Sequence, residues 1–188
     1  MAENTIFAME LCARLDADGA LQRHLRDATV VDVGSMSAGA KWNYYHRVTQ
    51  LLLYNLHAAE RGCWDYFDDH DKAHTDFAMW TKGMTTAEGE RAGSRPVTLE
   101  EPRYLTFTMA FLLLKDSPSD LALRQLCNVP EQRLWERAVF AHILKNFSWV
   151  SFASVQSDVS YLIPRDLDWS LTAEDLTAPK FHYLRKLV

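Results

Sequence analysis

Between Thr49 and Met84, alternating steps of three and four residues fall on Leu52, Leu56, Ala59, Cys63, Tyr66, His70, Ala73, Phe77, Trp80 and Met84. That spacing brings one side of a helix against a neighbour at every turn. Only Thr49 and His70 are polar along the seam, no proline interrupts residues 41–82, and Gly62 is its single weak point. A glycine costs a helix about 1 kcal/mol relative to alanine, so the pattern predicts one long helix over about 41–82, bent near Gly62. At about 1.5 Å per residue such a rod runs roughly 60 Å, longer than one compact domain covers. The expected fold is all-α, a single-domain bundle of about five to seven helices around this rod.

Flanking signals fit that expectation. Thr5 can cap a first helix carrying Ile6, Met9 or Glu10, and Ala13, and "DADG" at 16–19 reads as a turn before a short helix, Ala20 to Asp27. "TVVDV" at 29–33 is β-branched and reads as extended, and "GSMSAGA" supplies a loop and a helix cap. The polar, glycine-bearing stretch at about 83–98 reads as a flexible linker between an N-terminal and a C-terminal half. In "EEPRYLTFTMAFLLLK" the early acids, Pro102 and the final Lys115 suit a helix. Thr106 and Thr108 alternating with Leu105, Phe107 and Met109 suit a buried strand, so 103–114 stays open between the two. Helices are expected over Leu121–Cys127 and Pro130–Phe147, then over Trp149–Leu162 up to Pro164, with a last short one beginning at Thr172.

The 188 residues carry a net charge of −5 and a pI near 5.8, which disfavours non-specific binding of nucleic acid. Cys12, Cys63 and Cys127 are far apart and lack zinc spacing, as expected of small apolar residues in a reducing compartment. The N-terminus has no basic region leading into an apolar run, and "MAFLLL" at 109–114 is too short to span a bilayer. The reading is a cytoplasmic protein with no membrane contact.

The chemically richest stretch is "CWDYFDDHDKAHTDF" at 63–77. On a helix His70 and His74 stand one turn apart on the same face, a spacing that can hold a divalent ion, and Asp71 can add an oxygen. Further ligands would come from His46, His57, His142 or an acid elsewhere. The bland alternative is a core histidine on the seam beside a solvated acidic face. Lys72 is the only cation among Asp65, Asp68, Asp69, Asp71 and Asp76, so the unbalanced charge itself suggests a positive partner, metal ion or protein.

His46 followed by His70–Asp71 resembles the opening of HD-type metal phosphohydrolases. That resemblance implies a divalent metal, with Asp116 or Asp120 as the last ligand. It covers three or four residues, and "YFDD" stands where that family has an apolar lead-in. "YFDDHD" is similar to the aspartate-rich helix of class I terpene synthases, which implies Mg²⁺ on a diphosphate, but that family's second metal motif has no clean match around Asn146. "LALRQLCNVPEQRLWERAV" has the layout of a DNA-reading helix pair, yet Glu131 and Glu136 dilute its charge, and an ordinary helical hairpin fits better.

"KWNYYHR" at 41–47 adds Trp42 and Tyr45 as aromatic interface anchors. Three functions are expected. The first is a non-catalytic interaction module that presents Trp42, Tyr45, Asp65, Asp68, Asp69 and Asp76 to another protein or a second copy, with no cofactor. The second is a metal-dependent hydrolase using His70, His74 and Asp71. The third is a small-ligand binder with an aromatic pocket.

Overall fold

A computed structural model describes residues 3–16, 18–29, 33–85, 94–96, 101–165 and 169–188. Its first half contains β1 (Asn4–Arg14), α1 (Ala20–Thr29), α2 (Ala38–Tyr54), β2 (Ala59–Phe67), α3 (His70–Thr85) and β3 (Ser94–Pro96). The second half contains β4 (Tyr104–Leu114), α4 (Pro118–Leu126), α5 (Arg137–Asn146), β5 (Val155–Ile163), β6 (Trp169–Leu171) and β7 (Arg185–Lys186). All pairings are antiparallel, and the long strands lie in the order β5–β4–β1–β2. This sheet overturns the all-α bundle.

The correction begins at β1 and β4. They pair over their whole length, from Asn4↔Leu114 to Arg14↔Tyr104, and lie at the centre of the sheet with both faces covered. A strand buried on both sides loses its polar–apolar alternation, so "TIFAMELCA" and "LTFTMAFLLL" carry no period that separates strand from helix. The helix expected to start at Thr5 is therefore a strand, and the open choice at 103–114 resolves to strand.

The rod over 41–82 is three elements. Asn55 closes α2, its backbone N–H and its Nδ2 both donating to the Leu51 carbonyl. Residues 59–67 then pair with β1. Gly62 is what the sheet needs there: a Cβ would stand 2.9 Å from Phe140 Cε1 and 3.1 Å from the Glu10 carbonyl oxygen. The glycine marks a close approach of strand and helix rather than a helix bend. The heptad seam continues through β2 because the strand carries apolar residues on both faces, Ala59 and Tyr66 on one and Cys63 on the other. The helix expected over Trp149–Leu162 is mostly β5, and Pro130–Phe147 is a short 3-10 turn followed by α5. The short helix from Ala20 and the one from about Leu121 are present as α1 and α4. The linker reading at 83–98 lies largely outside the described residues, apart from the end of α3 and β3, as does most of the extended reading at 29–33.

The sheet has a thick and a thin cover. On the thick side α1, α2, α4 and α5 pack on Phe7, Met9, Leu11, Phe107, Met109 and Phe111. Tyr45 sits at its centre, wholly buried, stacked on Phe152 at 5.0 Å and edge-on to Phe111 at 4.7 Å. Its hydroxyl donates to Asp158 Oδ2, and Lys41 Nζ contacts Oδ1 of the same buried carboxylate. Tyr45 is thus a core residue, not an interface anchor. On the thin side α3 alone and the C-terminal segment after β6 cover Ile6, Ala8, Glu10 and Cys12.

Candidate functional site

The thin side is where the fold leaves room. Between α3 and the C-terminal segment lies a cavity of about 520 Å³. Its floor is sheet: Ile6 and Ala8 of β1 and Tyr161 of β5. Phe67 of β2 and Trp80 and Met79 of α3 form one wall, and Lys180, His182 and Tyr183 the opposite one. Trp80 and Tyr183 meet edge-to-face at 5.7 Å, joining the two walls. Asp65 of β2 and Asp76 of α3 stand on the α3 side. Ala8 matters by its size, since a larger side chain at that floor position would fill the space beneath Trp80.

Each strand sends alternate residues to this face, and the register aligns them in rows. One row reads Cys63, Glu10, Thr108 and Tyr161 across β2, β1, β4 and β5. Glu10 is only 1% exposed and accepts a hydrogen bond at Oε2 from the Tyr183 hydroxyl, 2.8 Å away. Thr108 and Thr106 bring hydroxyls near enough to favour its charged form, yet neither those hydroxyls nor Glu10 Oε1 completes a hydrogen bond. Burial dominates and pushes the Glu10 carboxyl above its ordinary range. The same burial raises the Cys12 and Cys63 thiols, with the Glu10 charge adding to it, so both are poor nucleophiles. Tyr183 and Tyr161 are held protonated for the same reasons.

Asp65 is exposed as a residue, but the walls around its carboxyl desolvate it enough to raise its pKa. The neighbouring Asp76 charge raises it further, while Lys72 and the Tyr66 N–H pull the other way. Neither Asp65 nor Asp76 forms an ion pair among the described residues.

The residues singled out in the sequence separate here. His70 and His74 do stand together, ring centroids 4.8 Å apart. His70 Nδ1 accepts from the Asn4 backbone N–H at 3.0 Å, and His74 Nε2 lies 2.9 Å from Asn4 Oδ1. Both thus tie α3 to the start of β1. Asp71 is exposed in the first turn of α3. No group of three or more His, Cys, Asp or Glu among the described residues is placed to hold a metal ion. His46 lies on α2, across the sheet from His70, and stacks on Trp42 at 4.9 Å. Asp120, the other residue drawn in by the phosphohydrolase resemblance, is fully buried under Thr5, Tyr66 and Arg124. Asp69 caps α3, its Oδ1 accepting from the Lys72 N–H at 2.9 Å, and Asp68 is exposed. Trp42 is 37% exposed and donates to the Ser148 carbonyl.

Asp65 and Asp76, expected as partner-binding residues, line this cavity, whereas Glu10, Tyr161 and Tyr183 are not among the site residues expected from the sequence. A signal existed for the first: Glu10 is the one charge inside an otherwise apolar run from Ile6 to Ala13. No helix among the described residues is long and apolar enough to cross a membrane. Comparison with protein-family models, with curated proteins and with solved structures returns no match to this chain.

Proposed function

We propose that this protein binds a small, largely apolar molecule in the pocket between α3 and the C-terminal segment. The observation that carries this reading is the 520 Å³ aromatic-walled cavity seated on the sheet's own side chains. Ligand sites are typically concave, mostly apolar and fitted with a few polar groups, in this size range. Asp65, Asp76, Lys180 and His182 supply those polar groups at this pocket. N-phenyl-1-naphthylamine, a neutral dye that fluoresces on leaving water, is expected to bind saturably. Ala8→Leu at the floor and Met79→Trp at the exposed wall are each expected to weaken it roughly tenfold. Absence of saturable binding, or binding indifferent to both substitutions in folded protein, would overturn the proposal.

A partner surface is the second reading, supported by Trp149, 52% exposed, beside Trp42, whose indole reaches the neighbouring Ser148. Exposed tryptophans anchor many interfaces. Light scattering over a concentration series tests a homo-oligomer, with self-association expected to fall in Trp149→Ser; a monomer throughout counts against it.

A further inference from the structure

We infer that the pocket selects an organic cation, an ammonium group carried on an aromatic or alicyclic body, with Asp65 and Asp76 facing the charge. The inference rests on the binding function proposed above and specifies its ligand. Two carboxylates on neighbouring elements, β2 and α3, line one wall without an ion-pair partner among the described residues. Burial chiefly raises the pKa of the Asp65 carboxyl, and the repulsion from Asp76 adds to it in smaller part. A bound cation removes that repulsion; a neutral guest leaves it. The rest of the enclosure suits a cation as well. Phe67, Trp80, Tyr161 and Tyr183 present ring faces and edges to the cavity, and aromatic walls attract ammonium groups through the ring quadrupole.

A further carboxyl stands beyond the floor. Glu10 follows Ile6 and Ala8 on the same face of β1, is almost wholly buried, and has an unpartnered Oε1. Its hydrogen-bonded neighbour is Tyr183, a wall residue of the pocket. When ionised, Glu10 adds negative charge on the same face of β1 as the floor residues Ile6 and Ala8. Positive charge is also present and limits the choice. Lys72 sits over the Phe67 ring, 3.2 Å from its centroid, and Lys180 and His182 belong to the opposite wall. Lys72 acts on Asp65, and Lys180 and His182 belong to the wall opposite the two carboxylates. A ligand with its cation at Asp65 and Asp76 and its ring body across the floor uses that separation.

Three near-isosteric probes decide the matter on the intact chain: 1-naphthylmethylammonium, neutral 1-naphthalenemethanol and anionic 1-naphthaleneacetate, each measured by calorimetry near neutral pH. The cation is expected to bind roughly tenfold more tightly than the alcohol, and the anion most weakly. In Asp65→Asn/Asp76→Asn the ratio of cation to alcohol affinity is expected to fall to about one. In the unmodified protein, added salt should shrink the same advantage without moving the alcohol. Equal or weaker binding of the cation, tightest binding of the anion, or an advantage that survives both the double variant and salt would overturn the inference while leaving the pocket itself as a binding site. If none of the three probes binds, the proposed function falls and this inference with it.

Discussion

The two sides of the sheet bury carboxyl groups in opposite ways. On the thick side Asp120 accepts from the Thr5 hydroxyl at 2.7 Å and the Asp116 N–H at 2.7 Å, pairs with Arg124 at 2.9 Å, and also takes the Tyr66 hydroxyl. Asp158 has Tyr45 and Lys41. On the thin side Glu10 has Tyr183 and one oxygen with no donor. Burying a charge is costly unless donors replace the lost water, and the thick side meets that condition while the thin side does not. A satisfied carboxylate fixes the position of α4 against β1 and β2; an unsatisfied one beside a cavity is the local inconsistency that binding sites carry.

The largest effect should come from breaking the satisfied network. Asp120→Ala strands the Thr5 and Tyr66 hydroxyls and the Asp116 N–H, while Arg124 keeps the Tyr66 oxygen and the Asp116 carboxylate. Arg124 is 39% exposed and stays hydrated, so the loss comes from the buried donors left unpaired, about 1–3 kcal/mol each. Urea unfolding should show a lower midpoint at an unchanged slope. A loss below about 1 kcal/mol would mean that the thick side does not depend on this carboxylate.

Glu10→Gln should behave differently. Burial raises the folded-state pKa of Glu10 above its unfolded value, so the folded chain holds that proton more tightly. Its contribution to stability is therefore complete below the unfolded carboxyl range and is lost as pH rises through the folded value. The glutamine side chain of the variant cannot ionise. The stability of Glu10→Gln relative to the parent should climb with pH, by up to about 1.4 kcal/mol per pH unit inside that window. Denaturation midpoints at a series of pH values above the ordinary glutamate range check this. Parallel curves for the two proteins would show Glu10 to be as well solvated as a surface acid.

This contrast was only partly readable in the sequence. Local signals served where the outcome is local: Ser37 caps α2, the "DADG" turn precedes α1, and α4 lies where its pattern placed it. They failed where tertiary contact decides. Residues 59–67 are a strand because β1 lies beside them and Phe140 presses on Gly62, neither of which a period can express. The acidic stretch at 63–77 reads as one helical unit, and its residues divide among separate structural places. Once β2 ends at Phe67 and α3 begins at His70, Asp65 and Asp76 stand on the same side of the pocket, Asp69 becomes a cap, and the two histidines hold Asn4. Tyr183 could not be tied to Glu10 at all, because the contact spans almost the whole chain.

The finest test of the contrast compares two helix caps. Ser37 caps α2 on the thick side, its Oγ accepting from the Ala40 N–H at 3.2 Å, and Asp69 caps α3 on the thin side. Replacing either by alanine should cost about 1 kcal/mol. The consequences for binding should differ. Tyr44, Tyr45, Val48 and Leu52 anchor α2 as fully buried residues, whereas Ala73 is the buried anchor among the described side chains of α3. Fraying at the start of α2 is therefore confined by packing, while fraying of α3 reaches the helix that carries Asp76, Met79 and Trp80. Asp69→Ala should weaken dye binding severalfold and Ser37→Ala should leave it unchanged at equal stability loss, with Asp68→Asn, an exposed neighbour, altering neither by more than about 0.5 kcal/mol. Equal effects of the two cap substitutions on binding would make the thin layer as firmly held as the thick one, and the pocket a rigid cleft rather than one whose wall depends on a single helix end.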